Sequence, residues 1–292
     1  MRNLKANLLE LIRRTSAELP DDVFRAVDLG AKAELAGTTG AYAMDIITKN
    51  IDLAKRKSQP LCQDTGSILF FVKAPVGCDQ IALEAAATAA VAEATAKGYL
   101  RQNSVDSVTG KNSGNNLGPG SPTIHFHQYR GTRLDVRLIL KGGGCENVGA
   151  QYSLPDARIG ANRDLDGVRK AILDAVVQAQ GKGCSPGILG VCIGGDRATG
   201  YLHSKGQLLR TLDDVNPDPP LAALERDIVQ TANKLGIGPM GFGGNTTLLG
   251  CKIGALNRLP ASFFVSISYM CWAYRRQGFV LDGQGKIVKW LY

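Results

Sequence analysis

The chain has 292 residues, 44% of them hydrophobic and 21% charged, which excludes a disordered or collagen-like chain and leaves enough length to bury a core without disulfides or a structural metal. Its 35 glycines exceed the usual ~7% of residues and imply many tight turns. The formal net charge of +8 comes without a basic stripe interleaved with aromatics, the only basic cluster being Lys55-Arg56-Lys57; nucleic acid is therefore not expected as a partner, and attraction of small anions is.

Residues 1 to about 58 read as helical, with Leu8, Leu9, Ile12, then Val23, Val27, Leu29, then Ala43, Ile46, Ile47, Ile51 at three- and four-residue steps. The opening MRNLKANLLELIRR mixes charge with Leu and lacks the apolar core of a signal peptide, so a cytoplasmic location is expected. A turn from Gln59 to Gly66 leads into a strand over Ile68 to Val72, and residues 80 to 97 form an Ala-rich helix stopped by Gly98. Asn103 to Pro122 is a long Ser/Asn/Gly/Pro loop of the functional or mobile kind. Strands over Thr123 to Gln128 and Leu134 to Leu140 follow, the second running into Lys141-Gly142-Gly143-Gly144-Cys145. An amphipathic helix over 165 to 179 precedes Cys184, an apolar strand over Ile188 to Ile193 and the turn Gly194-Gly195-Asp196. Pro217, Pro219 and Pro220 introduce a helix to about Leu235, and five glycines crowd Gly236 to Asn245. Two strands follow, Leu248 to Ala255 and Phe263 to Tyr269, with Cys271 at the end of the second, and Asp282-Gly283-Gln284-Gly285 marks a hairpin in a tail over 277 to 292. The most apolar stretch, Leu259 to Tyr274, contains Pro, Ser and Tyr and falls short of the ~20 residues of a membrane span. Helices alternating with strands predict an α/β architecture, a helical N-terminal segment followed by sheets flanked by helices.

Seven cysteines, an odd number without any C-x-x-C pair, argue against a disulfide scaffold and a zinc ribbon. Three of them, Cys62, Cys184 and Cys271, each stand where a loop meets a regular element. Spacing alone leaves two readings open: buried small residues, as free cysteines commonly are, or ligands of one group. The Gly/Pro-rich, polar surroundings of Cys62 and Cys184 are not what a core position requires.

CQDTG at Cys62 with a strand after it, KGGG at Lys141, CSPGILGVCIGG at Cys184, GIGPMGFGGN at Gly236 and CWAYRR at Cys271 resemble, in the same order over about residues 5 to 280, the α subunit of the iron-sulfur-dependent class I fumarate hydratases and L(+)-tartrate dehydratases. The resemblance implies a single N-terminal (alpha) catalytic domain over 1–292 with two lobes around a cluster site. It implies a 4Fe-4S cluster on Cys62, Cys184 and Cys271, with one iron lacking a protein ligand. Three thiolates rather than four leave an iron open to act as a Lewis acid on a hydroxyl leaving group. By the same resemblance Gln63 holds a substrate carboxylate, Asp64 takes part in proton transfer, Arg101 pairs with a carboxylate through its fork, and the Gly144 N–H binds substrate. On residue type alone, Asp64-Thr65-Gly66 also reads as an Asx turn and Arg101 as a solvated side chain.

Single-chain relatives add a further domain that supplies the base, so a β subunit carrying that base is the expected partner, in a higher oligomer. The expected reaction is a hydro-lyase interconversion of L-malate and fumarate or a similar dicarboxylate. Leu259 stands where these enzymes carry a His, twelve residues before Cys271, and Cys145 follows the glycines as in the tartrate enzymes. Tartrate dehydratase, a hydratase of a bulkier acid, a zinc protein and a cofactor-free binding paralogue are the alternatives. His125, His127 and His203 match no catalytic position.

Overall fold

The computed structural model describes residues 3–292; the first two residues of the expected helical segment lie outside the described residues. In chain order the elements are α1 (Leu4–Ala17), α2 (Asp21–Ala33), α3 (Thr39–Lys57), β1 (Ser67–Pro75), α4 (Gln80–Ala96), β2 (Thr123–Tyr129), β3 (Leu134–Lys141), α5 (Gly143–Asn147) and β4 (Ala150–Ser153). After these come α6 (Leu165–Ala179), β5 (Gly187–Ile193), α7 (Arg197–Gln207), α8 (Pro219–Asn233), β6 (Leu248–Ala255), β7 (Phe264–Met270), β8 (Arg276–Leu281) and β9 (Ile287–Leu291). The α/β class expected from the sequence is observed. No helix among the described residues is long and apolar enough to cross a membrane.

The chain forms two compact units that interleave in sequence: one comprises the stretch to Asp21, Lys49–Gly143 and Ala273–Tyr292, the other Asp22–Thr48 and Gly144–Trp272.

The first unit is built on a five-stranded sheet of order β2-β1-β3-β8-β9. β1 runs parallel to β2 and antiparallel to β3, and β3–β8 and β8–β9 are antiparallel, the last pair being the expected C-terminal hairpin. β1 can pair parallel with β2 because α4 and the long loop after it supply the crossover that parallel strands require. Leu4, Leu8, Leu11 and Ile12 of α1 recur at helical spacing and are buried against Leu83, Ala87, Ala90, Val91 and Ala94 of α4 and Phe70, Val72, Val136 and Leu138 of the sheet. Each Leu or Ile so buried stabilises the unit by roughly 1.5–3 kcal/mol. The alanines of α4 matter through their size: a small face lets α1 approach closely, and Asp79 caps the helix by accepting from the Ala82 N–H at 2.9 Å.

The second unit holds a four-stranded sheet of order β4-β7-β5-β6, with β5–β6 parallel and the β7 pairings antiparallel. Every residue of β5 is buried, as expected of a strand covered on both faces, and α6, α7 and α8 pack around the sheet. Asp164, Asp196 and Asp218 each cap the helix they precede. Helix α7 is not among the elements that the sequence pattern predicts.

Candidate active site

The residues singled out from the sequence fall into two sets, one in each unit. In the first unit, Cys62, Gln63 and Asp64 lie in the loop between α3 and β1, and side-chain hydrogen bonds hold that loop. The Asp64 N–H donates to Cys62 Sγ at 3.4 Å. The Asp64 carboxylate does not close a local Asx turn. Its Oδ1 accepts from Asn103 Nδ2 and its Oδ2 from the Gly143 N–H, both at 2.6 Å, while its carbonyl accepts from Arg275 Nη1 at 2.8 Å. Gln63 is exposed.

Arg101 is placed by its backbone. Thr65 Oγ1 donates to the Arg101 carbonyl at 2.7 Å and accepts the Arg101 N–H at 2.9 Å. Asn116, 1% exposed and with φ of 62°, donates to the same carbonyl at 2.8 Å and to Thr95 Oγ1 at 2.9 Å, and accepts the Asn103 N–H at 2.7 Å. A left-handed backbone is several-fold commoner for Asn than for most side chains. The polar loop from Asn103 to Pro122 therefore carries a buried asparagine that fixes the Arg101–Asn103 segment, with the Arg101 side chain left exposed. Three cations of this unit are almost fully buried: Lys141, Arg275 and Arg276. Arg276 stacks over the rings of Tyr274 and Tyr292.

In the second unit, Gly144, Cys184 and Cys271 come together. The Trp272 N–H, next to Cys271, donates to the Cys184 carbonyl at 3.4 Å, and a Cβ at Gly144 would lie 3.3 Å from the Lys182 carbonyl. Gly144 itself sits in α5, where the sequence suggested a bare turn. Cys184 adopts a left-handed backbone, φ 56°, an uncommon conformation for a residue with a side chain. Its neighbours keep it there: the Cys184 N–H bonds the Gly181 carbonyl, the Met240 N–H the Ser185 carbonyl, and Ser185 Oγ the Gly238 carbonyl. The glycine-rich Gly236–Asn245 segment thus acts as a buttress for the Cys184 loop.

The Tyr269 ring fills the space that Gly183 and Gly187 leave. A Cβ would come within 2.5 Å of the ring at Gly183 and 2.3 Å at Gly187. Burial, followed by the nearby Cys271, Cys145 and Cys184 thiols, pushes the Tyr269 phenol well above its ordinary range, so it stays protonated. Its hydroxyl is enclosed without a hydrogen-bond partner among the described residues.

No disulfide links the seven cysteines among the described residues. Cys62 and Cys184 are half-buried and Cys271 buried. Burial pushes the Cys192 thiol up to about 11 and the Cys251 thiol higher still, which makes both poor ligands. Among the described residues no three His, Cys, Asp or Glu side chains gather as a single-ion site requires, a requirement that a cluster with its thiolates on different irons does not impose. His203 is partly buried against Gln207, His125 stacks on Phe71 and His127 is exposed. Leu259 is 73% exposed in the loop before β7.

The family described as Fumarate hydratase (Fumerase) matches residues 5–280. A protein from Geobacillus stearothermophilus assigned as a fumarate hydratase class I is 55% identical over 296 residues, covering 100% of this chain and 58% of the relative. The chain thus spans little more than half the length of that relative. An Escherichia coli K12 L(+)-tartrate dehydratase subunit alpha is 31% identical over 263 residues, 89% of this chain and 85% of the relative. A Methanocaldococcus jannaschii protein assigned as the same subunit is 31% identical over 274 residues, 92% and 94%.

Proposed function

The chain belongs to the fumarate hydratase (Fumerase) family, and from that premise we propose that it is the cluster-bearing part of an iron-sulfur hydro-lyase acting on a hydroxy-dicarboxylate, with L-malate and fumarate as the pair. The observation that carries this reading is the local state of the cysteines. Cys184 and Cys271 stand on loops joined by the Trp272–Cys184 hydrogen bond, and the Cys62 sulfur accepts an N–H from Asp64, the kind of bond that tunes a thiolate ligand. Soft thiols outside disulfides at loop positions, with two buried cysteines elsewhere kept protonated by burial, fit an iron-sulfur group.

When bound, such a group with an open iron supplies Lewis-acid assistance to the departing hydroxide. The rest falls to the chain's own side chains. Gln63 and Arg101 bind and orient substrate carboxylates, Arg101 from a backbone fixed by Thr65 and Asn116. The Gly144 N–H adds a donor. Asp64, with both oxygens anchored by Asn103 and Gly143, moves a proton at the substrate hydroxyl. The base at the carbon comes from a β partner. This partner is supported by relatives named as subunit alpha. The reducing interior of a cell is the compartment that seven cysteines outside disulfides suit.

The test is anaerobic turnover of fumarate, L-malate and L(+)-tartrate by the reconstituted chain with its partner, alongside iron and sulfide content. Turnover of fumarate with about four irons per chain, as the cluster type requires, is the expected result. Preference for tartrate would move the substrate to the second reading, which the 31%-identical tartrate dehydratase subunits favour. A chain that binds no iron and turns over no acid would overturn both.

A further inference from the structure

Arg275 is 1% exposed, and its guanidinium spends one N–H on the protein: Nη1 donates to the Asp64 carbonyl at 2.8 Å. Nε and Nη2 are enclosed with no hydrogen-bond partner among the described residues, and no carboxylate of those residues pairs with the charge. A buried guanidinium in this state is costly, and folded proteins rarely retain one uncompensated. Its position is equally specific. The Arg275 carbonyl accepts the Leu140 N–H, which stitches the residue to β3, and the atom it does bond belongs to the loop that begins at Cys62. A buried guanidinium placed this way is complete only with an anion.

We propose that Arg275 is a positioning residue that holds the Cys62–Asp64 loop through the Asp64 carbonyl and offers its Nε and Nη2 donors to the negatively charged thiolate-bound group. This deepens the iron-sulfur reading and rests on it. The group's thiolates and sulfides bring net negative charge into the protein, and an interior guanidinium compensates it without competing for a ligand position. Removing the positive charge then weakens retention of the group and makes it harder to reduce.

Wild type, Arg275→Met and Arg275→Lys are reconstituted anaerobically with iron and sulfide and compared in five measurements: iron and sulfide content, rate of iron release to a chelator, reduction midpoint, melting temperature with and without the group, and substrate KM with the partner present. Arg275→Met is expected to melt no lower than wild type when iron-free, since an uncompensated charge is gone, yet to release iron about 10- to 100-fold faster, the range usual for residues supporting metal ligands, with a more negative midpoint. Arg275→Lys keeps the charge and is expected to retain most of the midpoint while losing part of the retention. If wild type takes up the group and both variants match it in release rate and midpoint, the assignment to Arg275 falls and the iron-sulfur reading stands. The assignment falls equally if only the substrate KM changes, the anion then being a substrate carboxylate, or if the variants merely melt lower when iron-free. If wild type takes up no iron and sulfide, the reading itself falls and this inference with it.

Discussion

The Cys62 loop and the Cys184 loop reach fixed conformations by different means. The first is held by side chains reaching over long sequence distances: Asn103 and Arg275 bond Asp64, and Thr65 and Asn116 clamp the Arg101 backbone. The second is held chiefly by its backbone: main-chain bonds to Gly181 and Met240 and the Ser185–Gly238 bond, with glycines on both sides of Cys184, a left-handed cysteine and an aromatic ring filling the space a Cβ would need. A loop secured by hydrogen bonds stays open to solvent and presents exposed side chains such as Gln63 and Arg101. A loop secured by packing offers little more than its sulfur.

If the two cysteine loops serve one group, as proposed, removing a thiol from either should have the same result, and this is the largest effect expected. Cys62→Ser, Cys184→Ser and Cys271→Ser should each abolish turnover and lower iron content to a similar extent. Cys192→Ser and Cys251→Ser should keep both, at a packing cost of about 1–3 kcal/mol for a buried hydroxyl. Full iron in the Cys184 variant alongside loss in the Cys62 variant would mean that the two loops serve separate ends.

How much of this is legible in the sequence depends on side-chain size and range. Helix α6 and strands β3, β5 and β6 declare themselves through large apolar residues at period 3.6 or in unbroken runs, and their observed bounds fall within a residue of those expected. Helix α7 does not, because its buried positions are Gly200 and Ser204, which leave no apolar stripe to detect. β4 has four residues, and α5 opens on glycines, poor helix formers. At the site, the motifs name the cysteines, Gln63, Asp64, Arg101 and Gly144, but not the residues that fix them. Asn103 and Asn116 sit in a loop that reads only as polar, since a contact between Asn103 and Asp64 spans 39 positions and leaves no local pattern. Arg275 has a visible signal: a pair of arginines inside the apolar run leading into β8.

Effects of middle size separate recognition from architecture. Arg101→Lys retains charge but not the planar fork, so kcat/KM should fall roughly 10- to 150-fold, equivalent to about 1.5–3 kcal/mol for a charged hydrogen bond. Its melting temperature should not move, because Thr65 and Asn116 grip the Arg101 backbone. Loss of stability in that variant would break the separation between a fixed backbone and a working side chain. Asn116→Ala does the reverse. It removes three hydrogen bonds of a buried asparagine and should cost about 1–3 kcal/mol in denaturant unfolding. Gly187→Ala places a Cβ 2.3 Å from the Tyr269 ring and hydroxyl, for a comparable cost of about 1–3 kcal/mol by overpacking. Equal sensitivity to a lost hydrogen bond in one loop and an added methyl in the other is what their different means of support require.

The smallest effect concerns Leu259, which belongs to neither set of supports. Its side chain is 73% exposed, and the loop around it is held by its neighbour: Arg258 stacks over Phe263 and donates to the Leu259 and Pro260 carbonyls at 3.0 Å each. Leu259→His should therefore leave stability within about 0.5 kcal/mol, as surface substitutions do. An imidazole there adds a hydrogen-bonding group where the chain has apolar surface, and a polar group discriminates between acids more sharply than a methyl does. The expected change is in the ratio of kcat/KM for fumarate to that for a methylated or larger analogue, measured with the partner present, while iron content stays the same. A shifted ratio at constant iron would mark Leu259 as a contributor to substrate choice that acts from outside both cysteine loops. An unchanged ratio would place substrate choice with the residues around Gln63 and Arg101, and so with the loop held by hydrogen bonds.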